Sequence, residues 1–195
     1  MKNISVLFTN AYHIGFNPEF FDIVLSGFMG WYDCFDFEQN VFTQPDSKSR
    51  EIYRVLRERG KLVICSWEAQ QDLAWMENSM LHYFPDLIKD QEYLNERPIG
   101  MAYEKPAGYE IIFQAAGFKD IQVSRETIEC ISTDEQEWWS MMSSVGWKML
   151  FDKIERAYPG HFSRIKEAIF QDLHAFIQSD GIHFAKSVFY VSGEK

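Results

Sequence analysis

Two short apolar runs separated by one amphipathic segment constrain this chain more than any other feature. The first is Phe20-Phe21-Asp22-Ile23-Val24-Leu25-Ser26-Gly27-Phe28 and the second is Gly60-Lys61-Leu62-Val63-Ile64-Cys65-Ser66-Trp67. Both are partly β-branched and bounded by Gly or Ser, as strands buried on both faces require. Between them Ile52, Val55 and Leu56 recur at helical spacing, with charges on the opposite face. Asp46 or Ser47 can cap that helix, and Gly60 can supply a left-handed stop. Strand, helix, strand at this length predicts a βαβ crossover, hence parallel strands and right-handed winding.

The remaining segments follow the same alternation. Residues 4–8 read as a strand that runs into Asn10-Ala11, followed by a loop broken at Gly15 and Pro18. The stretch 27–44 is aromatic and acidic, with Phe28, Trp31, Tyr32, Phe35, Phe37 and Phe42 among Asp33, Asp36 and Glu38. It follows the carboxyl end of a parallel strand, where open α/β sheets bind ligands. In an insertion at 68–97, Leu73, Met76, Met80, Leu81 and Phe84 keep helical spacing up to Pro85, and His82 and Tyr83 can face a pocket mouth. Tyr109, Ile112, Phe113 and Ala116 mark a helix stopped by Gly117, and a strand begins at 118–123. Ser132 with Glu135, and Thr133 with Gln136, offer overlapping capping boxes. They open a helix with Trp138, Met141, Met142, Val145 and Met149. A second helix after Pro159 carries Phe162, Ile165, Ile169, Leu173, Phe176 and Ile177, and residues 188–191 make the last strand.

Composition narrows the function classes. At 195 residues with 46% apolar and 16% aromatic content, the chain can bury a core as one domain. A net charge of −10 repels phosphate backbones and argues against nucleic acid as a ligand. Cys34, Cys65 and Cys130 lack a C-x-x-C pair, which fits a reducing compartment and opposes a thiolate metal site. His13, His82, His161, His174 and His183 never fall at metal-ligand spacing, so no metal is expected. There is no Gly-x-Ser-x-Gly elbow and no P-loop. No apolar run reaches the ~20 residues of a membrane span, and the first residues lack a secretory cleavage pattern. The expectation is a cytoplasmic protein.

Phe21-Asp22-Ile23-Val24-Leu25-Ser26, an aromatic loop, and Glu51-Ile52-Tyr53-Arg54-Val55-Leu56 running into Gly60-Lys61-Leu62-Val63-Ile64 also carry a resemblance. This array resembles the middle of a class I S-adenosylmethionine (SAM) dependent methyltransferase, of the small-molecule, type 11 group that includes quinone-biosynthesis enzymes. Ala116-Gly117-Phe118-Lys119-Asp120-Ile121 is similar to that family's entry into its sixth strand. The resemblance covers the later part of the family, and no Gly-x-Gly-x-Gly turn occurs in the 195 residues. It implies a truncated Rossmann-like α/β sheet, mostly parallel with its last strand antiparallel, helices on both faces and an α-hairpin insertion. Residues 1–195 form a single methyltransferase-like domain on this view, with helical insertions at about 68–100 and 133–178. The family's strand order, 3-2-1-4-5-7-6, leaves an apolar edge beside residues 21–26 when strands one and two are missing. Residues 4–8, a second copy or a separate polypeptide could fill it, or the chain could lack a stable fold.

The resemblance further implies methyl transfer to a small apolar or aromatic acceptor, with SAM as cofactor. Asn10-Ala11 stands where the family places an acidic residue and Ala against adenine, and Ser26, Gly27 and Phe28 stand where backbone meets the methionine moiety. Trp31, Tyr32, Trp67, His82, Tyr83 and Trp147 are the candidate substrate contacts. No catalytic residue is singled out, because much of the acceleration comes from holding donor and acceptor in line. The partners implied are a small-molecule substrate and either a homodimer mate or a complementary N-terminal polypeptide. The alternative is a catalytically inactive interaction or regulatory subunit that oligomerises through its exposed sheet edge.

Overall fold

The computed structural model describes residues 4–30, 35–36, 38–39, 41–43, 47–83, 85 and 104–195. The crossover forms. Strand β1 (Phe21–Gly27) pairs in parallel with a strand at Leu56–Gln70, with Val24 opposite Leu62 and Gly27 opposite Cys65. Between them come the short antiparallel strands β2 (Phe35–Asp36) and β3 (Val41–Phe42), then helix α1 (Lys48–Val55). The strand Leu56–Gln70 is therefore β4. Ser47 caps α1, its hydroxyl accepting from the Arg50 amide at 3.2 Å. The helix ends at Val55 because Leu56 is already extended and its side chain is wholly buried. Gly60 is not the left-handed stop expected from the sequence; that conformation belongs to Arg59, at φ 63°. Glycine at 60 answers to space, since a Cβ there would lie 2.8 Å from the Arg57 carbonyl oxygen.

Helices α2 (Gln71–Tyr83) and α3 (Pro106–Ala116) lead to β5 (Lys119–Ser132). Gly117 closes α3 in the left-handed region at φ 104°, and the Phe118 amide reaches back to the Phe113 carbonyl at 3.0 Å. Helix α4 (Glu135–Met141), a π-helical turn (Met142–Gly146), α5 (Lys148–Ala157) and α6 (His161–Leu173) follow. A 3-10 turn (His174–Phe176) then leads to β6 (Ile177–Gln178) and β7 (Gly181–Glu194). The expected first helix of the hairpin is thus broken at the π turn, where the Ser143 hydroxyl donates to the Trp139 carbonyl at 2.7 Å. The capping register also shifts by one. Asp134 is the cap, accepting from the Glu137 amide at 2.8 Å, while Glu137 accepts from the Thr133 amide at 2.6 Å. A carboxylate at a helix N-terminus meets the dipole with full charge, which the Ser132 and Thr133 hydroxyls cannot.

The sheet order is β1-β4-β7-β5, with β6 on β7. The direction of β7 follows from its contacts. Lys195 bonds Gly60 and Ala185 bonds Gln71, so β7 runs against β4; Tyr190 bonds Glu126 and Ser187 bonds Thr127, so it runs against β5. This is the 4-5-7-6 half of the expected order, with the last strand antiparallel, in an α/β fold with helices around a central sheet. Residues 4–8, expected as a strand, are not one. Ile4, Val6, Leu7 and Phe8 are exposed, and among the described residues nothing pairs with the outer edge of β1. Their composition suits a strand, but a strand needs a ladder partner and among the described residues none lies beside them.

The chain divides into two compact units. The first comprises Met1–Trp67, Arg97–Glu126 and Val188–Lys195, the second Glu68–Glu96 and Thr127–Ser187. In the first unit, Ile52, Leu56, Leu62, Ile64, Tyr109, Ile112, Phe113, Phe189 and Val191 form a core under α1 and α3. In the second, Met76, Met80, Trp138, Trp139, Ile165, Ile169, Leu173 and Phe184 form another. Gly181 tests the β6–β7 turn in the second unit. Its φ is +139°, and a Cβ there would lie 2.3 Å from the Ser132 carbonyl oxygen. Gly181→Ala is expected to cost at least about 2 kcal/mol in urea denaturation. Gly160→Ala, where nothing lies within 4 Å, should cost only the ~1 kcal/mol of left-handed backbone.

Candidate functional site

Ligands of open α/β sheets gather at the carboxyl ends of parallel strands, and in the first unit that place is the end of β1. The parallel ladder sets Ser26 opposite Ile64 and Gly27 opposite Cys65, and the Phe28 amide adds one more rung to the Cys65 carbonyl at 2.8 Å. Phe28 then turns into the left-handed region at φ 53°, an uncommon choice for a bulky side chain. The turn stacks its ring on Trp67, with centroids 4.5 Å apart and planes tilted by 31°. Among the described residues, space is open beside Gly27, where an added Cβ would meet nothing within 4 Å.

Period two along the strands puts Cys65 of β4, Tyr190 of β7 and Glu126 of β5 on one face of the sheet. The Tyr190 hydroxyl donates to Glu126 Oε2 at 3.1 Å and also meets the Cys65 thiol. The carboxylate raises the Tyr190 phenol above its ordinary range, so the hydroxyl stays a donor. Burial, aided by the Glu126 charge, pushes the Cys65 thiol up as well. A thiol held protonated is a weak nucleophile. The row offers hydrogen bonds rather than covalent chemistry. On the opposite face, burial is the main cause that pushes the Tyr109 phenol up, and the Glu104 charge adds to it.

Asn10-Ala11 lies in a tight turn of the same unit. Asn10 Oδ1 accepts from the Tyr12 amide at 3.0 Å, and its carbonyl accepts from the His13 amide at 2.9 Å. The loop is pinned to α1 where the Ile14 amide donates to Glu51 Oε1 at 2.8 Å. Arg54, 2.6 Å from that carboxylate, is the main cause that holds it below its ordinary pKa. Of the expected residues, Ser26, Gly27, Phe28 and Trp67 come together. Trp31 and Tyr32 lie outside the described residues. His82, Tyr83 and Trp147 belong to the second unit. There Tyr83 donates to Asp172 at 2.8 Å, the His82 ring meets the Tyr83 ring edge-on, and Trp147 is buried against Phe151. The arginines at 50, 54, 57 and 59 meet surface partners. Arg54 meets Glu51, Arg57 meets Asp22, Arg59 approaches Glu194, and Arg50 lies 4.2 Å over the Phe42 ring.

These residues fit a sulfonium cofactor in part. The Phe28–Trp67 pair beside open space suits a cation next to a methionine chain. The Phe28 amide and one lone pair of Asn10 Oδ1 are already engaged. No Gly-x-Gly-x-Gly turn is present in the sequence to approach the remainder of the cofactor.

Sequence inspection missed a second polar cluster, on β5 and β7 in the second unit. His183 Nε2 lies 2.7 Å from Asp180 Oδ1 and Nδ1 lies 3.0 Å from Glu129 Oε1. Both carboxylates raise its pKa, Glu129 first. The charged ring ties the β6–β7 turn to β5. A raised folded pKa means its stabilisation is complete below the unfolded value of ~6.5 and fades as pH rises through the folded one. The denaturation midpoint is expected to fall as pH rises above that unfolded value, and His183→Gln should flatten the slope.

No protein-family model and no curated protein sequence matches the chain. Solved structures do, and the chain has the class I SAM-dependent methyltransferase fold. A protein assigned as a type II methyltransferase from Anaeromyxobacter dehalogenans aligns over 100% of this chain and 73% of its own. Its TM-score is 0.59 at 11% identity. A protein assigned as a methyltransferase from Bacillus halodurans covers 96% of this chain and 69% of its own, with TM-score 0.42 and 19% identity. Phosphoethanolamine N-methyltransferase 2 of Haemonchus contortus, solved with S-adenosyl-L-methionine, covers 95% and 36%, with TM-score 0.34 and 16% identity.

Proposed function

We infer that this protein is SAM-dependent and methyltransferase-like, acting on a small apolar or aromatic acceptor. The observation that supports the reading most is the aromatic pair Phe28–Trp67 at the carboxyl end of β1, beside open space at Gly27, within a methyltransferase fold. When bound, the cofactor supplies a methyl group on a positively charged sulfur. The protein's part is to hold that charge against an aromatic ring face, keep water out and leave room for an acceptor in line. The Cys65–Tyr190–Glu126 row, on adjoining strands, offers a neutral phenol that can orient a polar acceptor group. Ribose and adenine contacts beyond Asn10-Ala11 are to come from a partner chain or a preceding segment, since the glycine turn is absent from the sequence.

Isothermal titration with SAM tests this reading. Binding heat is expected, and Trp67→Ala should weaken affinity by about 2- to 30-fold, the worth of one cation–aromatic contact. No heat at millimolar SAM contradicts it. A second reading, a non-catalytic interaction subunit, is favoured by the exposed apolar side chains of β1. Self-association without any SAM binding would select it.

A further inference from the structure

We propose that Lys48 is a positioning residue: its ammonium joins the Asn10-Ala11 loop to the loop after β1 and sets the spacing between the two ends of the cofactor site. The proposal rests on the SAM reading of those two loops. Lys48 is the first residue of α1, where a cation opposes the helix dipole and an acid is the ordinary choice. A residue that breaks a local rule points to a second demand on it. Here the demand is visible. Lys48 Nζ donates to the carbonyl of Gly30, two residues beyond Phe28, at 2.7 Å. The same nitrogen lies 5.2 Å from the centre of the Tyr12 ring, next to Asn10-Ala11. Both contacts depend on the positive charge, so a neutral side chain of similar length supplies neither at full strength.

The base of this link is firm. Ser47, Ser49, Ile52 and Val55 are buried and hold α1 in the first unit. Glu51 lies one turn beyond Lys48 on the same face of the helix. It accepts from the Ile14 amide at 2.8 Å, and Arg54 holds it at 2.6 Å. The Asn10-Ala11 loop is thus gripped from α1 at Tyr12 and at Ile14. The loop after β1 is gripped at Gly30 by the same lysine, and at its near end by the Phe28 amide on the Cys65 carbonyl. A ligand that reaches both loops binds tightly only while their spacing is held. A ligand that reaches one loop does not sense it.

Calorimetry and ligand-observed NMR with SAM, adenosine and methionine test the proposal on wild type, Lys48→Met and Lys48→Arg, with circular dichroism as a folding control. K48M keeps most of the apolar stem without the charge and should weaken SAM by about tenfold. Adenosine and methionine, each covering one end of SAM, should bind K48M within about twofold of wild type. K48R restores a cation that can donate to a carbonyl and lie over a ring, and should recover most of the SAM affinity. If K48M does not fold, Tyr12→Leu removes the ring face alone and should give part of the same loss. The amides of His13 and Phe28, each bonded to a backbone carbonyl, should also exchange faster together in K48M. Unchanged SAM affinity in K48M overturns the proposal. So does an equal loss for either fragment, which would make Lys48 a direct ligand contact. A wild-type chain that binds no SAM contradicts the methyltransferase reading, and the exchange measurement then decides alone: unless His13 and Phe28 loosen together, Lys48 does not join the loops.

Discussion

The parallel ladder between β1 and β4 is the constraint on which the first unit depends. It fixes α1 over the sheet, because a chain leaving the end of β1 can re-enter in parallel only through a crossover. It buries Leu62 and Ile64 beneath Ile52, Tyr109 and Phe113. It also sets Gly27 beside Cys65, and so decides where Phe28 turns and which ring it meets. Fold and candidate site are two consequences of one register.

That register has a cost as well as a use. Among the described residues, β4 is held on both edges, whereas β1 is held on one. The inward set Val24 and Ser26 is at least half covered, while Ile23 and Leu25 face solvent. A strand buried on one side and open on the other is an ordinary way to end a sheet when the outer residues are charged. Here they are aliphatic, which makes the edge reactive towards further chain. The same asymmetry underlies both functional readings, since whatever covers the edge also borders the carboxyl end of β1.

Much of the first unit was legible in the sequence because its signals are local. The apolar runs around residues 24 and 63, the Ser47 cap and the left-handed Gly117 each act within a few residues. The long strands were less legible. β7 spans 14 residues, yet only 188–191 read as a strand, because His183, Lys186 and Ser187 interrupt the apolar pattern while meeting partners on neighbouring elements. Residues 4–8 erred the other way, with the right composition and no partner. Ser26, Gly27, Phe28 and Trp67 were found because they end two strands already recognised as neighbours. Cys65, Tyr190 and Glu126 were not, because their meeting depends on β7 lying between β4 and β5, a pairing across more than sixty residues that no local pattern announces.

Residue-resolved hydrogen exchange along β1 in dilute solution tests the central claim most directly. A strand paired with β4 on one side and open on the other protects alternate amides. Val24, Ser26 and Phe28 should exchange slower by orders of magnitude than Ile23 and Leu25. Fast exchange at Val24, Ser26 and Phe28, or protection confined to Ile23 and Leu25, would contradict the parallel register from which fold and site have been derived.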